Sequence, residues 1–338
     1  MKLIVQIPCL NEEQTLPAVL ASIPRRIPGI DEIEILVIDD GCTDNTVAVA
    51  QEHGVTQFVH HSRTQGLGRS FRDGVMRSLE LGADIVVNTD GDNQYPQERI
   101  PDLVRPIVEK RADLVIADRQ THLIEHFSPT KKLLQRIGSA VVNRAAGTDL
   151  PDAASGFRAY SRESLMVLNT ITRFSYCMET IIQAGNKRLK IDSIPITTNP
   201  RSRDSRLFGS TREHVLKSMA AIVRSFMMYK PYVLFAWVTA VLGVLGLIPF
   251  ARYGVLWIRD REDGHLQSLL VGAVLLILAF MSLMLGVISD LIRANRVLIE
   301  DNLEHTKRSR FQVPFPGADM SSPPAPPPSL VPDRAADS

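Results

Sequence analysis

Two aspartates one glycine apart, Asp90-Gly91-Asp92, followed by Asn93 and Gln94, form a compact set of oxygen donors. Such a set suits a hard divalent cation: Mg2+ or Mn2+ is typically held by one or two carboxylates, with substrate phosphates filling other positions. A lone D-x-D occurs in many loops, so its weight here comes from its company. Pro8-Cys9-Leu10-Asn11-Glu12 and Asp39-Asp40-Gly41-Cys42-Thr43-Asp44 each follow a short apolar run in the same way. Helix capping by Thr43 or Asp44 accounts for one polar residue before a helix starting near Thr46, but not for adjacent acidic pairs on successive strands. Gly66-Leu67-Gly68 lacks the third glycine of a dinucleotide fingerprint, and no Walker A lysine loop occurs.

The elements that must position these residues read as alternating strands and helices. Strand-like runs at Lys2–Ile7, Ile33–Ile38, Gln57–His60, Ile85–Asn88 and Leu114–Ala117 alternate with amphipathic stretches at Gln14–Ile23, Thr46–His53, Arg69–Leu81, Pro101–Lys110 and Lys131–Ala146. This order predicts an α/β domain over about residues 1–212 with a mostly parallel sheet and ligands at the carboxyl ends of its strands. The acidic blocks fall there.

The 338 residues carry 38 basic and 37 acidic side chains, a balance that argues against a nucleic-acid partner. Three scattered cysteines form no disulfide framework. The apolar residues are unevenly spread. Residues 231–251 and 266–289 are two uncharged runs, each long enough to cross a hydrocarbon core, separated by the charged turn Arg259–Asp263. They predict a two-helix transmembrane hairpin over 231–292. Lys217, Arg224 and Lys230 before it, and Arg293, Arg296, Lys307, Arg308 and Arg310 after it, predict that both termini and the catalytic domain are cytoplasmic, on the inner face of the cell membrane. An apolar stripe of Val215, Leu216, Met219, Ile222, Val223, Phe226 and Met227 opposite Lys217 and Arg224 predicts an interfacial helix over 213–230. Residues 293–338 read as a cytoplasmic tail, disordered from about 311 where Pro, Ser and Ala dominate. Gly243, Gly246, Gly272 and Gly286 suit packing between protomers of a homo-oligomer.

The three acidic blocks together resemble the signature blocks of family 2 glycosyltransferases with the GT-A fold. Two further blocks, Asp152-Ala153-Ala154-Ser155-Gly156-Phe157-Arg158-Ala159-Tyr160 and Arg201-Ser202-Arg203-Asp204-Ser205-Arg206-Leu207-Phe208-Gly209-Ser210, resemble its polyprenyl-phosphate branch, the dolichol-phosphate mannose synthase type. The resemblance implies a nucleotide-diphospho-sugar transferase using a UDP- or GDP-sugar and Mg2+ or Mn2+. It implies that Pro8, Asn11, Glu12, Asp39, Asp40 and Asp90 line the donor nucleotide pocket. Asp90, Asp92 and Gln94 would surround the diphosphate and its metal, with Asp92 and Gln94 as direct ligands. Arg158, Arg201, Arg203, Arg206 and Ser210 would meet donor or acceptor phosphates. The family pattern is departed from at Gly91 and in the arginine-rich character of the last block.

A lipid monophosphate is largely dianionic at neutral pH, so a strong general base is unnecessary and positioning should dominate. Asp152 then either orients the acceptor, acts as a weak base, or caps the turn after Pro151; Arg158 either contacts phosphate or pairs with Asp152. The three loop arginines suit phosphate forks, and equally a solvated charge run or contact with anionic lipid. Glu179 falls on a helix from which it could reach the sugar. The expected activity is inverting sugar transfer to polyprenyl phosphate at the membrane. A processive polysaccharide synthase fits less well, since neither Trp237 nor Trp257 completes a Q-x-x-R-W element. A transferase with another envelope acceptor, and a non-catalytic membrane scaffold, remain as rivals.

Overall fold

The computed structural model describes residues 1–121, 129–170, 176–200, 231–258 and 266–313. Arg201, Arg203, Arg206, Ser210, the expected interfacial helix, the charged turn of the hairpin and the chain after 313 lie outside the described residues.

Alternation begins with β1 (Lys2–Cys9), α1 (Leu16–Ser22), β2 (Glu32–Asp39), α2 (Thr46–Glu52), β3 (Gln57–His60), α3 (Leu67–Glu80) and β4 (Ile85–Asn88). It continues with α4 (Ile100–Val108), β5 (Leu114–Asp118), α5 (Pro129–Ala146), β6 (Arg158–Ser161), α6 (Arg162–Val167), α7 (Tyr176–Asn186) and β7 (Ile191–Pro195). The seven strands lie in the order β3-β2-β1-β4-β6-β5-β7. All neighbouring pairs are parallel except those of β6, which runs antiparallel to both β4 and β5. The central strand β1 is buried on both faces from Leu3 to Cys9, as expected of a parallel strand covered by helices. Chain progress moves outward from β1 to β3, then returns to β4 on the other flank of β1. That reversal opens a crevice beyond the carboxyl ends of β1 and β4, the usual ligand position in such sheets.

The antiparallel β6 was not among the strands expected from sequence. It is only four residues long and begins at a charged residue, Arg158. That arginine is wholly buried. Its Nε donates to the Ser155 carbonyl at 2.7 Å, Nη1 to the Cys177 carbonyl at 2.8 Å and Thr180 Oγ1 at 2.9 Å, and Nη2 to the Ala153 carbonyl at 2.9 Å. Arg158 therefore ties the loop before β6 to the start of α7. It pairs with no carboxylate and faces no phosphate site, which corrects both readings of it from sequence. Replacing it leaves several buried acceptors without donors, so Arg158→Met is expected to cost about 3–5 kcal/mol of stability in denaturant unfolding. Activity should persist below the lowered transition, which a phosphate ligand would not permit.

Two long helices follow, α8 (Pro231–Ile258) and α9 (Leu266–Phe311). Both are long and apolar enough to cross a membrane and are little buried. Side chains such as Trp237 (67% exposed), Ile248 and Phe280 project outward rather than into a core. The two helices pack on each other. A Cβ at Gly246 would meet Leu276 at 3.0 Å and the Gly272 carbonyl at 3.2 Å, and one at Gly272 would meet Phe250 at 2.9 Å. Gly286 likewise faces Phe235. These three glycines serve the hairpin itself, not the contact between protomers expected from sequence, and Gly243 meets nothing within 4 Å.

The greatest departure is the length of α9. Residues 293–311, read from sequence as tail, continue the same helix and dock on the sheet domain. Lys307 Nζ donates to the carbonyls of Leu165 at 3.1 Å and Leu168 at 2.7 Å, capping the end of α6. Arg308, 2% exposed, pairs with Glu163 and with Glu304. Arg310 Nη2 reaches Glu80 Oε1 at 2.7 Å, and Lys187 lies 3.8 Å from Glu304. Burial, then the charge of Lys187, brings the Lys307 ammonium down to about 8. Several of the charges read from sequence for membrane orientation are thus engaged with the neighbouring domain.

Candidate active site

Asp90 and Asp92 lie just beyond β4, in the crevice beside β1. Thr15 Oγ1 joins the two strand ends, donating to the Gly91 carbonyl at 2.7 Å. The backbone N–H of Glu12 donates to Thr46 Oγ1 at 2.8 Å. Gly91 has a steric reason: a Cβ there would stand 3.1 Å from Cys9 Sγ and 3.2 Å from Glu12 Cγ. The departure from the family pattern thus lets β1 approach the acidic turn. Asn93 adopts φ 59°, a left-handed conformation that asparagine tolerates. Asp92 Oδ1 accepts from the Gln94 N–H at 3.1 Å, and the Gln94 side-chain amide donates to Asp92 Oδ2. Asn199 braces the turn from the far side, its N–H donating to the Gln94 carbonyl at 2.9 Å and its Nδ2 to the Asn93 carbonyl at 3.1 Å.

Burial pushes the Asp90 carboxyl up to about 7, and the neighbouring negative charges of Asp92 and Glu12 add to the shift. Arg119 opposes it. Among the described residues no three His, Cys, Asp or Glu side chains form a closed metal cage. The donor set instead fits an open site, in which Asp90, Asp92 and Gln94 supply part of the shell and a diphosphate the rest. The sign of the pH dependence follows. Below pH 7 Asp90 holds a proton that a cation must displace, so Mn2+ affinity is expected to fall about tenfold per pH unit on acidification. Mn2+ titrations in buffers of different ionisation enthalpy, between about pH 6 and pH 8, should reveal proton release that fades at the alkaline end.

Asp39 ends β2, and its Oδ1 accepts from the Cys42 N–H at 2.7 Å. Its Oδ2 lies 3.1 Å from His60 Nδ1. Burial alone would raise the Asp39 carboxyl, but the Cys42 N–H and His60 outweigh it and hold it below the ordinary range. Asn11, at φ 59°, accepts the Thr43 N–H on Oδ1 at 2.7 Å and so fixes the loop after β2 against that after β1. Pro8 is buried within β1. Asp40 departs from its expected nucleotide role. It is 5% exposed and accepts from the N–H groups of Gln65 at 2.8 Å and Gly66 at 2.9 Å, with His61 Nδ1 at 2.7 Å. It organises the turn into α3 instead.

His60 and His61 were assigned nothing from sequence. Their signal was positional: β3 pairs with β2 so that Asp39 stands opposite His60.

Asp152 is 3% exposed and bound by Arg119 through Nε to Oδ2 at 2.6 Å and Nη2 to Oδ1 at 3.0 Å. Its Oδ1 also accepts the Ala154 N–H at 3.2 Å. Burial would raise this carboxyl, but Arg119 prevails and keeps it below the usual range. A buried, doubly bonded carboxylate is a poor base, so of the readings from sequence the structural one holds: Asp152 caps its own turn through the Ala154 N–H and also anchors Arg119. That guanidinium acts electrostatically on Asp90 as well as Asp152, so it brings a positive charge to the crevice. Sequence reasoning missed it because Arg119 follows β5 singly, without a recognisable block. Glu179 does not reach the crevice; it is 2% exposed and lies 3.5 Å from Arg296 of α9.

A mostly parallel sheet whose reversal gathers Asp39, Asp90 and Asp92 defines the GT-A class of nucleotide-diphospho-sugar transferases. The chain belongs to glycosyl transferase family 2, whose family model matches residues 4–168. It is 32% identical over 63% of its length to an uncharacterised glycosyltransferase of Mycobacterium bovis, covering 92% of that protein. It is 28% identical to the undecaprenyl-phosphate mannosyltransferase of Micrococcus luteus, over 58% of this chain and 83% of that one. Polyprenol monophosphomannose synthase of Mycolicibacterium smegmatis is 27% identical over 63% and 84% respectively. Among solved structures, glucosyl-3-phosphoglycerate synthase of Mycobacterium tuberculosis with Mn2+, UDP-glucose and phosphoglyceric acid superposes with a TM-score of 0.50. That match has 26% identity over 65% of this chain and 79% of the other. The protein is accordingly a glycosyltransferase.

Proposed function

We propose that this glycosyltransferase moves a sugar from a nucleotide diphosphate to a polyprenyl phosphate at the cytoplasmic face of a membrane. The observation that carries the reading is one polar crevice at the reversal of the sheet, where the buried Asp90 carboxyl feels the negative charges of Asp92 and Glu12 and the positive charge of Arg119, in a chain that also bears two membrane-length helices. Relatives named as undecaprenyl-phosphate and polyprenol-phosphate mannosyltransferases support the acceptor class. A neighbour crystallised with Mn2+ and UDP-glucose supports the donor class and the cation.

Asp39 accepts hydrogen bonds from the donor base or ribose, held in place by Cys42 and His60. Asn11 and Glu12 wall the nucleotide pocket. Asp90, Asp92 and Gln94 hold Mg2+ or Mn2+, which when bound neutralises charge on the departing diphosphate. An acceptor phosphate oxygen attacks the anomeric carbon from the opposite face. One C–O bond forms as the bond to the β-phosphate oxygen breaks, which inverts the centre, and no proton needs to be removed. Arg119, braced by Asp152, stabilises the phosphate charge during that displacement. Arg201, Arg203, Arg206 and Ser210 follow closely after Asn199, which is fixed to the metal turn, and supply further phosphate contacts. α8 and α9 anchor the enzyme so that a long lipid can present its phosphate without leaving the bilayer.

A panel of UDP- and GDP-sugars, tested by calorimetry with and without Mn2+, tests the donor half. Saturable, Mn2+-strengthened binding of one base series is expected; binding of none would overturn it. A soluble phosphorylated acid in place of the lipid tests the acceptor half, because efficient transfer to it would favour a soluble acceptor like that in the solved neighbour.

A further inference from the structure

We propose that Arg296 is a positioning residue for this reaction, coupling the membrane-borne helix α9 to the acidic turn through α7. The inference rests on the transferase reading above and adds a route by which anchoring controls the site.

Arg296 lies beyond the uncharged stretch of α9 and is turned into the sheet domain. Its Nη2 lies 3.5 Å from Glu179 Oε1, and its Nε lies 2.7 Å from Glu300 Oε1 on the next turn of its own helix. The Glu179 side chain is 2% exposed. A carboxylate so deeply buried is costly unless a cation faces it, so the contact holds α7 against α9. Glu179 is in the first turn of α7, three residues after Tyr176 and thus on the same face.

Tyr176 carries the contact into the crevice. Its hydroxyl donates to the Gly156 carbonyl at 2.9 Å and accepts from Asn88 Nδ2 at 2.6 Å. Asn88 ends β4, two residues before Asp90. Gly156 packs so closely that a Cβ there would stand 3.4 Å from Asp90 Oδ2 and 3.2 Å from the Tyr176 hydroxyl. The route from the membrane helix to the acidic turn therefore has three links, Arg296 to Glu179, Glu179 to Tyr176 within one helical turn, and Tyr176 to the strand and loop that hold Asp90. Arg310, by contrast, contacts Glu80 at the far end of α3, nine residues and more than two helical turns from Phe71, the residue of that helix that stacks on Tyr176.

The test uses the full chain in lipid nanodiscs. Amide exchange over residues 176–186 and steady-state transfer are measured for wild type, Arg296→Met, Arg296→Lys and Arg310→Met. Arg296→Met should speed exchange in α7 and lower kcat about ten- to a hundredfold, with donor KM changed less than about twofold, as misplacement rather than lost binding requires. Arg296→Lys, which keeps the charge, should recover most of both, and Arg310→Met should alter neither. Unchanged α7 exchange in Arg296→Met would overturn the coupling, and faster exchange with full kcat would overturn the positioning role. A loss shared equally by Arg310→Met would reduce it to general docking stability. A wild type that transfers no sugar would instead sink the transferase reading, while the exchange data would still decide whether α9 holds α7.

Discussion

Asp92→Asn is expected to lower turnover about a hundred- to a thousandfold while leaving the protein at least as stable as wild type. Both halves follow from one arrangement. Asp92 and Asp90 lie one residue apart beside Glu12, and their mutual repulsion helps push Asp90 up to about 7. A cation bound there, as proposed, would offset this repulsion; without one the cluster is strained by its own charge. Removing the Asp92 charge should bring Asp90 down toward the ordinary carboxylate range and slightly raise the unfolding midpoint of the metal-free protein. Mn2+ binding should weaken in the same variant. Turnover within about threefold of wild type would exclude Asp92 from the metal and diphosphate site.

The second large effect concerns Arg119. Arg119→Met removes the partner of a carboxylate that is 3% exposed, and breaking such a pair costs about 3–5 kcal/mol. It also removes the positive charge that opposes the upward shift of Asp90, so the acid limb of the pH–rate profile should move to higher pH. Arg119→Met combined with Asp152→Leu separates the two consequences. With both charges gone much of the stability should return, because no buried ion is left alone, but activity should not. Unfolding curves and pH–rate profiles of the single and double variants check this. Recovery of activity along with stability would assign Arg119 a purely structural part.

The acidic blocks were legible because parallel sheets collect function at strand ends, and their strands are short apolar runs with clear edges. Gln57–His60 and Ile85–Asn88 coincide with β3 and β4. What escaped was whatever depends on pairing across the sheet. The insertion of antiparallel β6 between β4 and β5 has no local signal, and it is this insertion that buries Arg158. A motif arginine next to a motif aspartate invites a mutual pair, yet Asp152 turns to Arg119, and Arg158 to backbone carbonyls. The same limit explains α9. From sequence the charges after Ser289 bear on membrane orientation alone, but Arg296, Lys307 and Arg308 meet carboxylates and carbonyls contributed by other elements. Sequence gives the charge of a side chain; only the fold gives its partner.

The central claim is the chemical identity of the product. The most direct measurement is mass spectrometry of the lipid fraction after the nanodisc-bound enzyme is incubated with undecaprenyl phosphate, Mn2+ and each nucleotide sugar. One donor should yield a sugar-phosphoryl-polyprenol, with an equivalent of nucleoside diphosphate in the aqueous phase and no product from Asp92→Asn. The contrary result is a folded wild type that binds its nucleotide sugar and Mn2+ but leaves the polyprenyl phosphate unmodified.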